Sequence, residues 1–168
     1  AIAEIDLATR RVTPLAADAA WSFEAPRYAP DGSRIACVAA NVGRRHTALG
    51  RLALLRRGEK PRVTGDRWTI DVEGPLRWAP DGASVLFAAQ EKGRCHLWRA
   101  DPEGASLTVA VQGGWVQGFD VGGTPGAETI VVAAGGAAHP VQVHAVRAGA
   151  ARRIERFNDR LLARVTLG

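Results

Sequence analysis

The 168-residue chain has no methionine, two cysteines and one tyrosine, and aromatic residues make up only 6% of it. Two cysteines exclude a disulfide-rich scaffold. Cys37 falls inside an apolar run and Cys95 follows Gly93-Arg94 near a turn, which reads as two free thiols and favours a cytoplasmic setting. No run of 18 or more apolar residues exists, so no segment is suited to cross a membrane as a helix. The first residues lack the basic, apolar and small-residue order of a signal peptide. With no methionine at position 1, the chain is expected to be a piece of a longer product.

Several chemistries are missing as well. There is no Gly-x-Gly-x-x-Gly after a strand and no phosphate-binding loop. No serine sits in Gly-x-Ser-x-Gly: around Ser106 the order Gly104-Ala105-Ser106-Leu107-Thr108 lacks the final glycine and lies in an expected hairpin. Cys95-His96 is the only close pair of metal-ligand types considered, and adjacent strand residues point to opposite faces, so the two cannot readily share an ion. His46, His139 and His144 read as ordinary surface or packed histidines. No cofactor and no metal site is expected.

What is present is 46% hydrophobic residues, enough for a core, and a net charge of +5. Such a balance raises the possibility of nucleic acid binding. The basic residues, however, are spread over expected hairpin tips, at Arg44-Arg45-His46, Arg56-Arg57 and Arg152-Arg153 with Arg156. Trp21, Trp68, Trp78, Trp98 and Trp115 recur at intervals suited to packing between sheets. Neither nucleic acid nor membrane is an expected partner.

The strongest signal is repetition. Arg27-Tyr28-Ala29-Pro30-Asp31-Gly32 recurs fifty positions later as Arg77-Trp78-Ala79-Pro80-Asp81-Gly82, and Ser33, Ile35 and Ala39 match Ala83, Val85 and Ala89. A weaker third copy lies at Gly122-Gly123-Thr124-Pro125-Gly126-Ala127, without the Pro-Asp-Gly signature. In Pro-Asp-Gly, proline presets φ for a type I turn, aspartate suits its third position, and glycine takes the left-handed residue that follows. The runs Ile35 to Ala40, Val85 to Ala89 and Ile130 to Ala134 then read as strands buried on both faces.

A second set of hairpins interleaves with these: Ile2 to Leu15, Leu52 to Thr64, Leu97 to Val109 and Val141 to Ile154. Two hairpins make one four-stranded unit of propeller-blade length, about 40–50 residues. Helical repeat arrays would need helices that the sequence does not show. The expectation is an all-β chain: a β-propeller fragment of about three four-stranded antiparallel blades plus an opening half blade. Closed rings take about four to eight blades, so the chain is expected to need further blades and, alone, to self-associate through open sheets. Residues 1–156 form the partial propeller, and residues 157–168 an exit strand.

Just before each hexapeptide, Phe23-Glu24-Ala25-Pro26 resembles Val72-Glu73-Gly74-Pro75. Glu24 and Glu73 therefore occupy related places. Either they face the central funnel and meet a charged substrate terminus, or they make a repeated structural hydrogen bond.

The two Pro-Asp-Gly hairpins, the segment Cys95 to Asp101, and Pro140-Val141-Gln142-Val143-His144 leading through Arg152-Arg153-Ile154 to Phe157-Asn158-Asp159-Arg160-Leu161-Leu162 resemble a family. It is the prolyl oligopeptidase family of serine peptidases, in the acylaminoacyl-peptidase and dipeptidyl-peptidase-like branch. The resemblance implies a propeller that gates peptides into an attached α/β-hydrolase domain absent from this chain. It also implies that 157–168 leads toward that domain. No triad residue matches here, so any catalysis would belong to the parent serine peptidase. Pro-Asp-Gly repeats also occur in TolB-type propellers, for which the function would be protein binding with no enzymatic domain.

Overall fold

The computed structural model describes residues 1–43 and 48–165; the Arg44-Arg45-His46 cluster lies outside the described residues. Strands β1 (Ile2–Ile5) and β2 (Val12–Ala16) pair antiparallel as a two-stranded sheet. Next come β3 (Trp21–Tyr28), β4 (Ile35–Asn41), β5 (Arg51–Leu55) and β6 (Arg62–Thr64), paired in chain order. β7 (Arg77–Trp78), β8 (Val85–Glu91), β9 (Arg94–Ala100) and β10 (Leu107–Val111) repeat that meander, as do β11 (Trp115–Thr124), β12 (Ala127–Gly136), β13 (His139–Arg147) and β14 (Ala150–Arg153). A single parallel bridge from Trp115 to Cys95 links the last two units into one hydrogen-bonded sheet of eight strands. Half a blade and three full blades are thus realised as expected.

The turns form for the reasons legible in their residues. In the first Pro-Asp-Gly turn the Gly32 N–H donates to the Ala29 carbonyl at 2.9 Å and the Ala29 N–H to the Arg34 carbonyl at 2.8 Å. The second repeats this, Gly82 to Ala79 at 2.9 Å and Ala79 to Ser84 at 2.9 Å, and both glycines have φ of 69°. That left-handed value strains any residue with a Cβ. The Asp31 carboxylate accepts from the Ser33 N–H and hydroxyl, which together hold it below the usual carboxylate range. Asp101-Pro102-Glu103-Gly104, on an outer hairpin, closes the same way, with Gly104 N–H donating to Asp101 at 2.9 Å.

Strand alternation distributes the core. Along β4, Ile35, Cys37 and Ala39 face the two-stranded sheet with Ile2, Ala16 and Phe23, while Ala36 and Val38 face the next blade. Along β8, Val85, Phe87 and Ala89 face back toward β4 and β5, and Leu86 faces forward to Val116, Ile130, Val132 and Val146. Three separate apolar layers therefore fill the three gaps between the half blade and the three full blades. A period-2 side-chain pattern buried on both sides requires this arrangement.

Polar struts cross the same gaps. The Trp78 indole donates to the Arg27 carbonyl at 2.9 Å, and the Arg34 guanidinium lies 5.0 Å from the Trp78 ring centroid. Arg34 also reaches the Gly82 carbonyl at 3.0 Å and Glu103 at 3.2 Å, which Arg62 contacts as well. Arg99 joins Ser84 at 2.7 Å and Glu128 of the last blade. Arg57 Nε, 2.9 Å from Glu4, ties the two-stranded sheet to the first full blade.

Three expectations need correction. β12 is not buried on both faces: Ile130 and Val132 are covered, but Val131 on the opposite face is 36% exposed because no sheet packs there. Phe157 to Leu162 does not continue as a strand. The chain turns through α1 (Asp159–Leu162), held by Arg153, which bonds Glu155 at 2.7 Å and Asp159 at 2.6 Å. Trp115 is 45% exposed rather than packed between sheets, whereas Trp68, Trp78 and Trp98 are buried between the first two full blades.

Candidate functional site

The first strand of each full blade stands beside its counterpart, with β7 packed against both β3 and β11. Residues on these strands line the inner wall of the array. Two of them, Arg27 and Arg77, are equivalents in the fifty-residue repeat, and each donates through Nη1 to the carbonyl of the residue before it, Pro26 at 2.9 Å and Leu76 at 3.0 Å. In register, Arg27 lies opposite Ala36, Arg77 opposite Leu86 and Asp120 opposite Val131. Ala36 and Leu86 enter the forward apolar layers, so Arg27 and Arg77 lie on the face directed to the following blade. Arg77 Nε bonds Asp120 Oδ1 at 2.8 Å across the gap between blades.

Glu24 is exposed on β3, opposite Val38, and Glu73 is exposed in the connection between β6 and β7. The structure brings their segments together: a Cβ placed on Gly74 would lie 2.6 Å from that of Ala25. This close approach requires glycine at 74. Among the described residues neither carboxylate takes part in an ion pair. The Cys95 thiol pKa is raised by burial, opposed by its hydrogen bond to Val116, with the Glu73 carboxylate adding a smaller upward push.

Cys95 and His96 diverge as strand alternation dictates. Cys95 enters the forward apolar layer, its Sγ 3.4 Å from the Val116 carbonyl, and His96 is buried with Nδ1 accepting the Gly113 N–H at 3.1 Å. The His96 ring meets Trp98 edge-on at 6.2 Å. This histidine is part of the packing. Burial drives the Cys37 thiol up to about 12, so neither cysteine is a ready nucleophile. Among the described residues no three His, Cys, Asp or Glu side chains assemble as a metal site. No helix of the structure is long and apolar enough to cross a membrane.

The inner wall also opens into a cleft of about 540 Å³ between the last two blades, bordered by Arg94, Trp115, Gln117, His139 and Pro140. Sequence reasoning had placed Trp115 in the core and given Arg27, Arg77 and Asp120 no role. The signal for Arg27 and Arg77 was available in the repeat, since both hexapeptides begin with arginine. Asp120 was hidden because the third copy departs from that pattern.

No family model matches the chain, and no curated protein matches it. Solved structures do. The β-propeller domain of the trilobed protease from Pyrococcus furiosus is similar over 77% of this chain and 38% of its own, with 19% identity and a TM-score of 0.59. An acylaminoacyl peptidase from Pyrococcus horikoshii is similar over 81% of this chain and 20% of its own, with 17% identity and a TM-score of 0.60. TolB from Acinetobacter baumannii is similar over 81% and 33%, with 19% identity and a TM-score of 0.56. The chain thus spans well under half the length of each. At these identities the likeness concerns the fold, and together with the three stacked meanders it establishes that the chain is a β-propeller module.

Proposed function

We propose that this chain is the gating propeller of a serine peptidase, non-catalytic by itself, which admits peptides to an α/β-hydrolase domain carried elsewhere in the same polypeptide. The observation that carries the reading is the inner wall. Apolar side chains fill the gaps between blades, yet the first strands present Glu24, Arg27, Arg77 and Asp120, a polar lining suited to wet, extended peptide rather than to a dry core. Support also comes from the likeness to the propellers of the trilobed protease and the acylaminoacyl peptidase. Glu24 and Glu73, on segments that meet at Ala25 and Gly74 and without an ion-pair partner among the described residues, are assigned to substrate amino groups. The 157–168 segment is assigned the passage toward the hydrolase, and the two reduced, buried thiols agree with a cytoplasmic setting.

A TolB-like binding module is the second reading, favoured by a TolB match of similar quality. The complete reading frame separates the two. A Gly-x-Ser-x-Gly elbow followed by Asp and His, with labelling of the purified product by a fluorophosphonate, is the expected result. A stop codon soon after Gly168, with no elbow in the frame and no labelling, would support the binding module instead.

A further inference from the structure

The gaps on either side of the first full blade are bridged differently, and only one of them is filled. In the gap to the second full blade, the Arg34 side chain, two residues past the glycine of Pro30-Asp31-Gly32, enters a niche on the next blade. Its guanidinium lies 5.0 Å from the Trp78 ring centroid, 3.0 Å from the Gly82 carbonyl and 3.2 Å from Glu103 on the β9–β10 turn. The first full blade presents the same kinds of group toward the half blade. Tyr28 and Gly32 are the repeat equivalents of Trp78 and Gly82, and Glu59 lies on the β5–β6 turn. All three border one cleft of about 350 Å³, with Leu15, Ile35 and Leu55 as its apolar wall.

The cleft is open because β1 and β2 form an outer hairpin alone. Among the described residues the half blade has no inner hairpin from which a side chain equivalent to Arg34 could reach forward, so Tyr28 is 50% exposed where Trp78 is 7% exposed. Of the cations bordering the cleft, Arg57 is neutralised by Glu4 and Arg34 reaches into the next gap. Arg56 and Glu59 have no ion-pair partner among the described residues and offset each other.

From the filled niche we infer that the Tyr28 cleft is a binding site for an arginine side chain, that of a Pro-Asp-Gly-x-Arg turn on an inner hairpin that completes the half blade. The face of the Tyr28 ring takes the guanidinium, and the Gly32 carbonyl and Glu59 carboxylate accept its N–H groups. A cation over an aromatic face and charge-assisted hydrogen bonds favour arginine over a neutral isostere. The planar fork favours it over lysine. This role is independent of the gating function above, since it concerns how the array is completed, whichever domain the propeller serves.

Acetyl-arginine amide, its neutral citrulline analogue and acetyl-lysine amide serve as probes of the 168-residue chain. Tyr28 is its only tyrosine, so the tyrosine ring resonances report this cleft alone. Titration with the arginine probe should shift them saturably, with at least about fivefold tighter binding than the citrulline probe and the lysine probe in between. The Trp78 ring should stay unmoved, because Arg34 already fills its niche. Glu59→Gln, an exposed substitution whose fold is checked by circular dichroism, should weaken binding at Tyr28. In the complete reading frame, the hairpin preceding Ala1 should carry arginine two residues after the glycine of its Pro-Asp-Gly. Tyr28 shifts that are absent, equal for arginine and citrulline, matched by equal shifts of Trp78, or indifferent to Glu59→Gln would overturn the site. A reading frame without that arginine would overturn the assignment of its occupant.

Discussion

Tyr28 and Trp78 occupy the same place in the repeat, yet their replacement by alanine should have very different consequences. Trp78 is 7% exposed between two blades, its indole donating to Arg27 and its ring lying beneath Arg34. Tyr28 is 50% exposed and faces the two-stranded sheet, where it meets Glu4. Removing a buried aromatic side chain loses its transfer free energy and leaves a cavity, so Trp78→Ala should cost about 3–5 kcal/mol. Trp78→Phe keeps most of the volume but orphans the Arg27 carbonyl and weakens the cation–π contact, for about 1–2 kcal/mol. Tyr28→Ala should cost about 1 kcal/mol or less. Urea unfolding followed by far-ultraviolet circular dichroism reads all three on one scale. Equal losses for Tyr28→Ala and Trp78→Ala would refute the claim that the blade gap, rather than the repeat position, sets the energy.

Other expectations follow from the same geometry. Gly50→Ala should destabilise by about 1–3 kcal/mol in the same urea series, because its Cβ would lie 2.3 Å from the Val72 carbonyl oxygen. The Cys37 and Cys95 thiols should resist a thiol reagent at pH 8 in the native protein and react once urea unfolds it, since burial raises both pKa values; rapid native labelling would contradict their placement. Glu155, hydrogen-bonded first by Arg153 and then by the Phe157 N–H, has its carboxyl lowered from 4.5 to about 2. Its folded pKa is depressed, so its stabilising contribution is present above 4.5 and is lost as pH falls toward 2; NMR titration should show this, and Glu155→Gln should remove that part of the acid dependence.

Much of the fold was legible because turn chemistry is local. Pro30-Asp31-Gly32 and Pro80-Asp81-Gly82 state their turn type in three residues, and the apolar runs that follow state burial. The third blade was harder to read. Its inner hairpin closes through Pro125-Gly126 between β11 and β12, with Gly126 at φ 78°, so the repeat is shorter there and Asp120 falls out of the alignment. Exposure of Val131 depends on what packs against the last blade, which strand patterning does not encode. Phe157 to Leu162 has the apolar content of a strand, but Arg153 recruits both Glu155 and Asp159, and that ion network turns the chain into a helical turn instead. For the inner wall, the exposure of Glu24 and Glu73 came from the fold and their kinship from the sequence. The Arg77–Asp120 pair joins residues from two blades with different repeat lengths, a contact visible only once the sheets are stacked.

The exposed apolar positions at both ends of the array, Leu7 at 90% and Val131 at 36%, should drive concentration-dependent association of the 168-residue chain. A monodisperse monomer at high concentration in size-exclusion chromatography would count against that expectation.

The stacking of the half blade and three full blades through alternating apolar layers is tested most directly by side-chain NOE measurements across the gaps. The account predicts ring-to-ring cross-peaks between Trp68 and Phe87, whose centroids are 6.3 Å apart, and cross-peaks linking Arg34 to the Trp78 ring. Hairpins that form with the observed strand pairings but give no cross-peaks between these residues would contradict it.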